Sequence, residues 1–432
     1  FKASLLSAFE NRYIERKGGE IGAQYSLLHQ LSIWGISLAR DAFSALIEIN
    51  PPVEFDLGQC SPLHSDFSCC NYCNAGRSCR LVRGRCTMPD ASGSLWDAIV
   101  IGSGMGGMTA AAALSKTGHK ALLLEQYQTL GGLTHSFSRD GFSWDVGIHY
   151  LNYVAPGDLD RQLLDWISDT PIEFVSMGAV YDNVHIGNAP PLALSRPYEA
   201  QERDLKDRFP DDVAAIEAWI EALQEGREAI MKLFPTRAMP EFVGNAIQWW
   251  NGSAIEQWCA RTTQEVINGI TQNPELSAIF ASQWPDHGGR PGKSSFGMHA
   301  VTAGGYLRSG AWYPVGGGAA FANHILPTII AAGGEARANT RVVSLLFEED
   351  KVVGVRTESG EEIRADAVIS NIGARETVRH LVPEGCGQRD WISEIETLPP
   401  SIAHFSLFLG FEGDVERAGA TRSNHWVYPG GE

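Results

Sequence analysis

Three things are scarce in this chain. Positive charge is the first: 34 Lys and Arg stand against 51 Asp and Glu, a formal net charge of −17. Nucleic-acid binding needs a basic footprint to neutralise phosphates, so that class is excluded. Long apolar runs are the second. The best candidate, Tyr25 to Ile49, is cut by His29, Gln30, Arg40 and Asp41, short of the roughly 18 to 20 uninterrupted apolar residues of a spanning helix. Peripheral contact with a membrane needs only an apolar patch and stays open. Methionine is the third, with none before Met88.

Other absences narrow the chemistry. No nucleophile elbow and no HExxH motif occurs, and no second GxGxxG follows a buried strand. Cysteine is uneven: six of the eight, at Cys60, Cys69, Cys70, Cys73, Cys79 and Cys86, lie in residues 1–87. Cys70-x-x-Cys73 has metal-ligand spacing, but a zinc ribbon wants two such pairs and the remaining gaps supply no second. Residues 1–87 are also near neutral, with nine Lys/Arg and eight Asp/Glu, so the acidity lies after Met88. The expectation is a leader outside the working protein, with Met88 as its start. A zinc module or a disordered extension are the alternatives.

What remains is a soluble globular composition, 44% hydrophobic and 20% charged, and 432 residues suffice for two or three domains. From Asp97 a compact βαβ unit stands out. WDAIVIG reads as a buried parallel strand, GSGMGGMTAAAALSKTG as a tight turn into an alanine-rich helix stopped by Gly118, and KALLLE as a second strand. The turn is Gly102-Ser103-Gly104-Met105-Gly106-Gly107, and Glu125 closes the second strand 18 residues beyond Gly107. Gly102 permits the sharp turn, Gly104 lets backbone approach a pyrophosphate, and Gly107 lets helix pack on strand. The helix N-terminus offers N–H groups to phosphates, while Glu125 accepts from ribose hydroxyls and repels a 2′-phosphate. Strand, turn, helix, strand and terminal acid in register are far more specific than the glycines alone.

The residues that follow carry a resemblance. After Glu125 and Gln126 come Gly131-Gly132-Leu133-Thr134 and the block Asp145-Val-Gly-Ile-His149-Tyr150; further on stands Tyr313-Pro314-x-Gly316-Gly317. From about Trp96 onward the sequence resembles the flavin-dependent oxidoreductases that include phytoene desaturases, carotenoid isomerases and retinol saturase. DVGIHY, Arg203 to Asp212 and SFGMHAVTAGGYLRSGAWYP look most like the retinol saturase branch. The resemblance implies a Rossmann-type α/β FAD-binding domain with an inserted helix-rich α+β substrate domain. It makes the double glycine a continuation of the pyrophosphate wall, brings the Val342 backbone to the adenine, and puts Asp366 to Asn371 in the same sheet. It also implies a further flavin-contacting glycine-rich strand and helix beyond the HWVYPGGE with which the sequence ends.

The residues themselves agree. Phe321, Ile325, Leu326, Ile329 and Ile330 form a helical stripe ended by Gly333-Gly334, and Arg341 to Ser370 reads as strands joined by polar turns. The expected division is a leader over 1–87, FAD-binding segments over 95–155 and 313–380, a substrate domain over 156–312, and the start of its sheet over 381–432. Seven of the twelve tryptophans fall between Pro156 and Trp312. Adjacent Trp249 and Trp250 cannot both enter one helix interior, so one is expected to line a pocket or meet a membrane surface.

The chemistry expected is FAD-dependent oxidoreduction at C=C bonds of an apolar polyene or isoprenoid. In the saturase direction, hydride reaches one alkene carbon and a proton the other. His149 is the candidate for proton transfer, with Tyr150, Trp249, Trp250 and Tyr313 as candidate substrate contacts. Electrons would come from a diffusible donor, NAD(P)H or a redox protein, in a cytoplasmic setting. Desaturase and isomerase readings share the fold, as does a non-catalytic isoprenoid carrier without flavin. An amine oxidase shares the FAD domain, but nothing in the sequence marks an aromatic amine cage.

Overall fold

A computed structural model describes residues 80–82, 85–87, 96–236, 239–386, 390–397 and 402–430. Cys60, Cys69, Cys70, Cys73 and Cys79, and with them the leader and zinc-module readings, lie outside the described residues, as does Tyr25 to Ile49. Cys86 falls in a small antiparallel hairpin, Arg80–Val82 with Arg85–Thr87.

The expected βαβ unit forms from Trp96 onward. Strand β1 (Trp96–Ile101) leads into helix α1 (Met105–Lys116), which returns to strand β2 (Ala121–Leu124). Small alanines let α1 lie close on the sheet, and Ala111, Ala112 and Ala113 are almost wholly buried. Gly118 follows the helix at φ +81°, the left-handed conformation that ends helices and that glycine adopts without penalty.

Later sequence completes the sheet. Strands β3 (Glu335–Arg337), β4 (Val342–Glu348), β5 (Lys351–Thr357) and β6 (Glu362–Ser370) give six strands in the order β3-β2-β1-β6-β5-β4. The first four in that order run parallel, and β6-β5-β4 is an antiparallel meander. Alternation along the strands builds a core on each face. Val100 and Leu123 face Met108, Leu163, Ile167, Phe321, Ile325 and Ile329. Ile99, Ile101, Leu122 and Leu124 face Leu345, Val355 and Leu381. The Phe321 stripe is one face of α2 (Ala319–Ala331).

Between the two halves of this α/β domain runs the expected helix-rich segment. It holds a three-stranded sheet of Val180–Ile186, Leu192–Ser195 and, from much later in the chain, Asn424–Tyr428. Its longest helix, Val213–Thr236, packs against Phe296–Ser309 over Trp219, Ile220, Leu223, Phe296 and Ala300. Gly226 makes that approach possible, since a Cβ there would stand 2.8 Å from Phe296 Cε1 and 2.9 Å from Ala300 Cβ. Gly226→Val should therefore lower stability by about 1–3 kcal/mol through overpacking, read as a lower urea midpoint. Pairing of Phe174–Ser176 with Trp312–Pro314, and the Leu151–Trp312 bridge, tie the segment to the α/β domain. Among the described residues, no helix is long and apolar enough to cross a membrane.

Candidate functional site

The turn leaving β1 is built around glycine for steric reasons that can be read atom by atom. Gly102 sits at φ +93°, and a Cβ there would approach Ile372 Cγ2 to 3.0 Å and the Asn371 carbonyl to 3.2 Å. At Gly107 a Cβ would lie 1.9 Å from the Gly102 carbonyl oxygen. Gly104 is the opposite case, with only Asn371 Nδ2 nearby at 3.4 Å, so a ligand can reach its backbone. The helix beginning with Met105 and Gly106 has no side-chain cap and no acidic residue in its first turn. Its leading N–H groups and dipole are thereby left to an external anion.

A second wall faces this turn. Gly131 and Gly132 have φ of +121° and +56°, and a Cβ on Gly132 would sit 2.6 Å from Gly104 Cα. Gly131 N donates to Ser103 Oγ at 3.0 Å, and Thr134 Oγ1 donates to the Gly131 carbonyl at 2.7 Å. Leu133 and Gln126 lie at the surface. Glu125 is buried where the walls meet. Its Oε2 accepts from Ser103 N at 2.9 Å and Ser103 Oγ at 2.7 Å, and its Oε1 accepts from Tyr127 N at 2.9 Å. A carboxylate offers about four acceptor positions, so Glu125 organises the turn and retains capacity on Oε1 for a ribose hydroxyl. Thr340 N donates to the Glu125 carbonyl at 2.7 Å, which brings the start of β4, and the backbone of Val342, to the same end. Two uncapped, close-packed glycine walls with an acid at one end fit a dinucleotide pyrophosphate and its adenosine ribose.

Asp145, a residue the sequence reading did not single out, joins the early and late blocks. Its carboxylate accepts from Tyr313 Oη and Ser136 Oγ, and from Gly318 N at 2.9 Å. The carboxylate also fills the space that a Cβ on Gly317 would need, 2.8 Å away. Burial and the Asp145 charge push the Tyr313 phenol above its ordinary range. Its hydroxyl is thus committed to holding the Tyr-Pro-x-Gly-Gly turn.

The chain then carries His149 away from the second wall. Val146 N donates to the His135 carbonyl at 3.1 Å and Gly147 N to the Leu133 carbonyl at 3.0 Å. His149 keeps 47% of its side chain accessible, with Nε2 3.6 Å from Asp286 Oδ1. Enclosure by protein lowers its pKa below 6.5, against the opposing pull of Asp182 and a backbone hydrogen bond. His149 is thus an accessible side chain beside the buried carboxyl of Asp286.

Tyr150 points elsewhere, which corrects its expected role as a substrate contact. It is 1% exposed and donates to both oxygens of Asp182, at 2.7 and 2.8 Å. Gln283 Nε2 donates to Asp182 Oδ2 at 3.0 Å, and Tyr306 donates to Asp286. Burial pushes both carboxyls up to about 7, with the Asp286 charge adding to the effect on Asp182. Trp249 and Trp250 also need correction as pocket residues. They end the helix Glu241–Trp250 at 81% and 80% exposure, on the same helix as exposed Phe242. Among the described residues nothing covers either ring, and both face outward. Among the described residues no His/Cys/Asp/Glu group could hold a metal.

Comparison with known proteins agrees with this geometry. The family profile described as flavin containing amine oxidoreductase matches residues 105–426. An all-trans-retinol 13,14-reductase from Danio rerio is 30% identical over 77% of this chain and 57% of its own length. A chloroplastic prolycopene isomerase from Daucus carota is 26% identical over 74% of this chain and 53% of its own. The chain thus spans little more than half the length of these relatives. A crystal structure of a Pyrococcus furiosus protein superposes with a TM-score of 0.50 at 21% identity, over 70% of this chain and 65% of that one, which shows a shared fold.

Proposed function

This chain belongs to the flavin containing amine oxidoreductase family, and from that premise we propose an FAD-dependent oxidoreductase acting on C=C bonds of an apolar polyene, as a retinol saturase-type reductase. The observation that carries the reading is the cradle of Gly102, Gly104, Gly107, Gly131 and Gly132 closed by buried Glu125. It is joined to relatives named for reactions on a retinoid and a carotenoid. Ser103, Met105 and Gly106 would present backbone to the pyrophosphate, and Glu125 a free acceptor position to the ribose. Gln126, Leu133, Thr134 and the Val342 backbone border the same path.

When bound, reduced FAD supplies a hydride to one alkene carbon. The protein must then position the alkene, exclude water and bring a proton to the other carbon. His149 is the side chain assigned to that proton, because it is accessible and its segment is anchored through Val146 and Gly147 on the loop of the double-glycine wall. The absence of a second dinucleotide turn in the sequence supports a diffusible electron donor, nicotinamide or a redox protein.

A reading as isomerase draws support from the prolycopene isomerase relative, and desaturation would run the hydride in reverse. The test begins with the visible spectrum of the purified protein and identification of released flavin. Incubation with all-trans-retinol and with a carotenoid follows, with the flavin reduced and then oxidised. A saturated product only with reduced flavin is the expected result. An isomer without net reduction would favour isomerase. A folded, colourless protein that cannot be loaded with FAD would overturn the oxidoreductase reading and favour the isoprenoid carrier.

A further inference from the structure

We infer that Asp182 and Asp286 form an internal proton store that recharges His149, a deepening that rests on the polyene-reductase reading above. Five elements converge on the pair. Asp182 and Tyr181 come from the strand Val180–Ile186, Asp286 from the short helix Trp284–His287, and Tyr306 from Phe296–Ser309. Tyr428 comes from Asn424–Tyr428, and Tyr150 with His149 from the segment anchored on the double-glycine wall. Among the described residues, Tyr150, Tyr181, Tyr306, Tyr428 and His149 are titratable groups that face the carboxyls.

The tyrosines make a layer. Tyr306 lies 4.8 Å from Tyr150 and 5.4 Å from Tyr181, ring centre to ring centre. Burial raises all four phenols, so they stay protonated; Tyr150 donates to Asp182, Tyr306 to Asp286 and Tyr428 to the Ser282 carbonyl. Two like charges in this dry setting disfavour full ionisation, so the pair retains a proton near neutral pH.

That retention solves a problem at His149. Its lowered pKa leaves the imidazole neutral at neutral pH, and a neutral imidazole is too weak an acid to protonate an alkene carbon. Asp286 Oδ1 stands 3.6 Å from Nε2, a gap closed by a small ring rotation. The carboxyl O–H proton passes to Nε2, and the imidazolium gives it to the alkene carbon. With the hydride on the other carbon, the alkene gains two hydrogens and two electrons. The carboxylate regains its proton from solvent, which reaches the accessible His149 imidazole. His149 is the catalytic residue here, and Asp182 and Asp286 act through it as positioning residues.

Infrared difference spectra of the unmodified protein between pH 6 and pH 8 should show loss of a buried protonated-carboxyl band. Titration of ring-labelled histidine by NMR, with the His149 signal assigned through His149→Gln, should show an inflection near pH 7, where the neighbouring carboxyls ionise, that disappears when Asp182→Asn and Asp286→Asn are combined. Retinol reduction by Asp286→Asn should fall at least tenfold at pH 7, and its alkaline limb should move to lower pH. The inference is overturned if the carboxyl band is missing, or if the inflection persists in the double variant. An inflection lost in the double variant without turnover of any polyene would uphold the coupling and overturn the polyene reading.

Discussion

Gly107→Ala should yield a protein that no longer retains flavin. The added Cβ would lie 1.9 Å from the Gly102 carbonyl oxygen and 3.1 Å from its carbon. Both belong to backbone that is itself confined, because Gly102 at φ +93° is wedged against Ile372 and Asn371. No rotamer change relieves that contact, so α1 must lift from the turn. Overpacking in cores costs about 1–3 kcal/mol where side chains can give way, and here none can. An affinity loss of 100-fold or more corresponds to about 2.8 kcal/mol and is the least to expect. The measurement is a flavin dissociation constant by fluorescence titration, with a thermal melt alongside. Gly118→Ala is the control. Gly118 also has positive φ, at +81°, but nothing lies within 4 Å of its would-be Cβ. It should lower stability by roughly 1 kcal/mol while flavin affinity stays unchanged. Equal flavin loss in both variants would show that general destabilisation, and not the shape of the turn, governs binding.

That contrast also shows what was legible in the sequence. The turn was, because close approach of helix to strand admits only glycine, and the spacing of Gly102, Gly104 and Gly107 records that constraint directly. The buried strands β1 and β2 and the stripe of Phe321, Ile325 and Ile329 were legible for a similar reason, since local periodicity reflects the face each residue turns to the core. Asp145 was not. Its partners Tyr313 and Gly318 lie 168 and 173 residues away, and a carboxylate heading a short block looks like any surface acid. Asp182 and Asp286 were hidden by the same separation, since burial of a charge is a tertiary property. Tyr150 was expected to contact substrate, and its burial against Asp182 is likewise a tertiary property. Strand-like alternation turns His149 outward and Tyr150 into the core. Trp249 and Trp250 were correctly seen as unable to share an interior, but a pair at a helix end can both turn outward.

The Asp182–Asp286 pair should also govern how stability changes with pH, with a sign opposite to most carboxylates. Both folded-state pKa values are raised to about 7 by burial, whereas an unfolded Asp titrates near 3.9. Between those values the folded chain holds more protons than the unfolded chain. Stability contributed by these groups is fully present below about pH 4 and is lost as pH rises to about 7, near 1.4 kcal/mol per pH unit for one proton. One such proton therefore amounts to roughly 4 kcal/mol over the window. Buried histidines act in the opposite sense. His299, lowered to about 4, and His287 must be neutral to stay folded, so their contribution improves as pH rises towards 6.5. The two effects oppose each other in the wild-type curve, and a difference measurement separates them. Asp182→Asn with Asp286→Asn removes both carboxyls and leaves the histidines in place. Urea unfolding at pH 5, 6, 7 and 8 should show the double variant gaining on the wild type with each step up to pH 7, by 1 kcal/mol or more per step, and little beyond. Parallel stability curves would mean that both carboxyls ionise in the folded protein as they do in water. The buried pair would then hold no proton for His149 to receive.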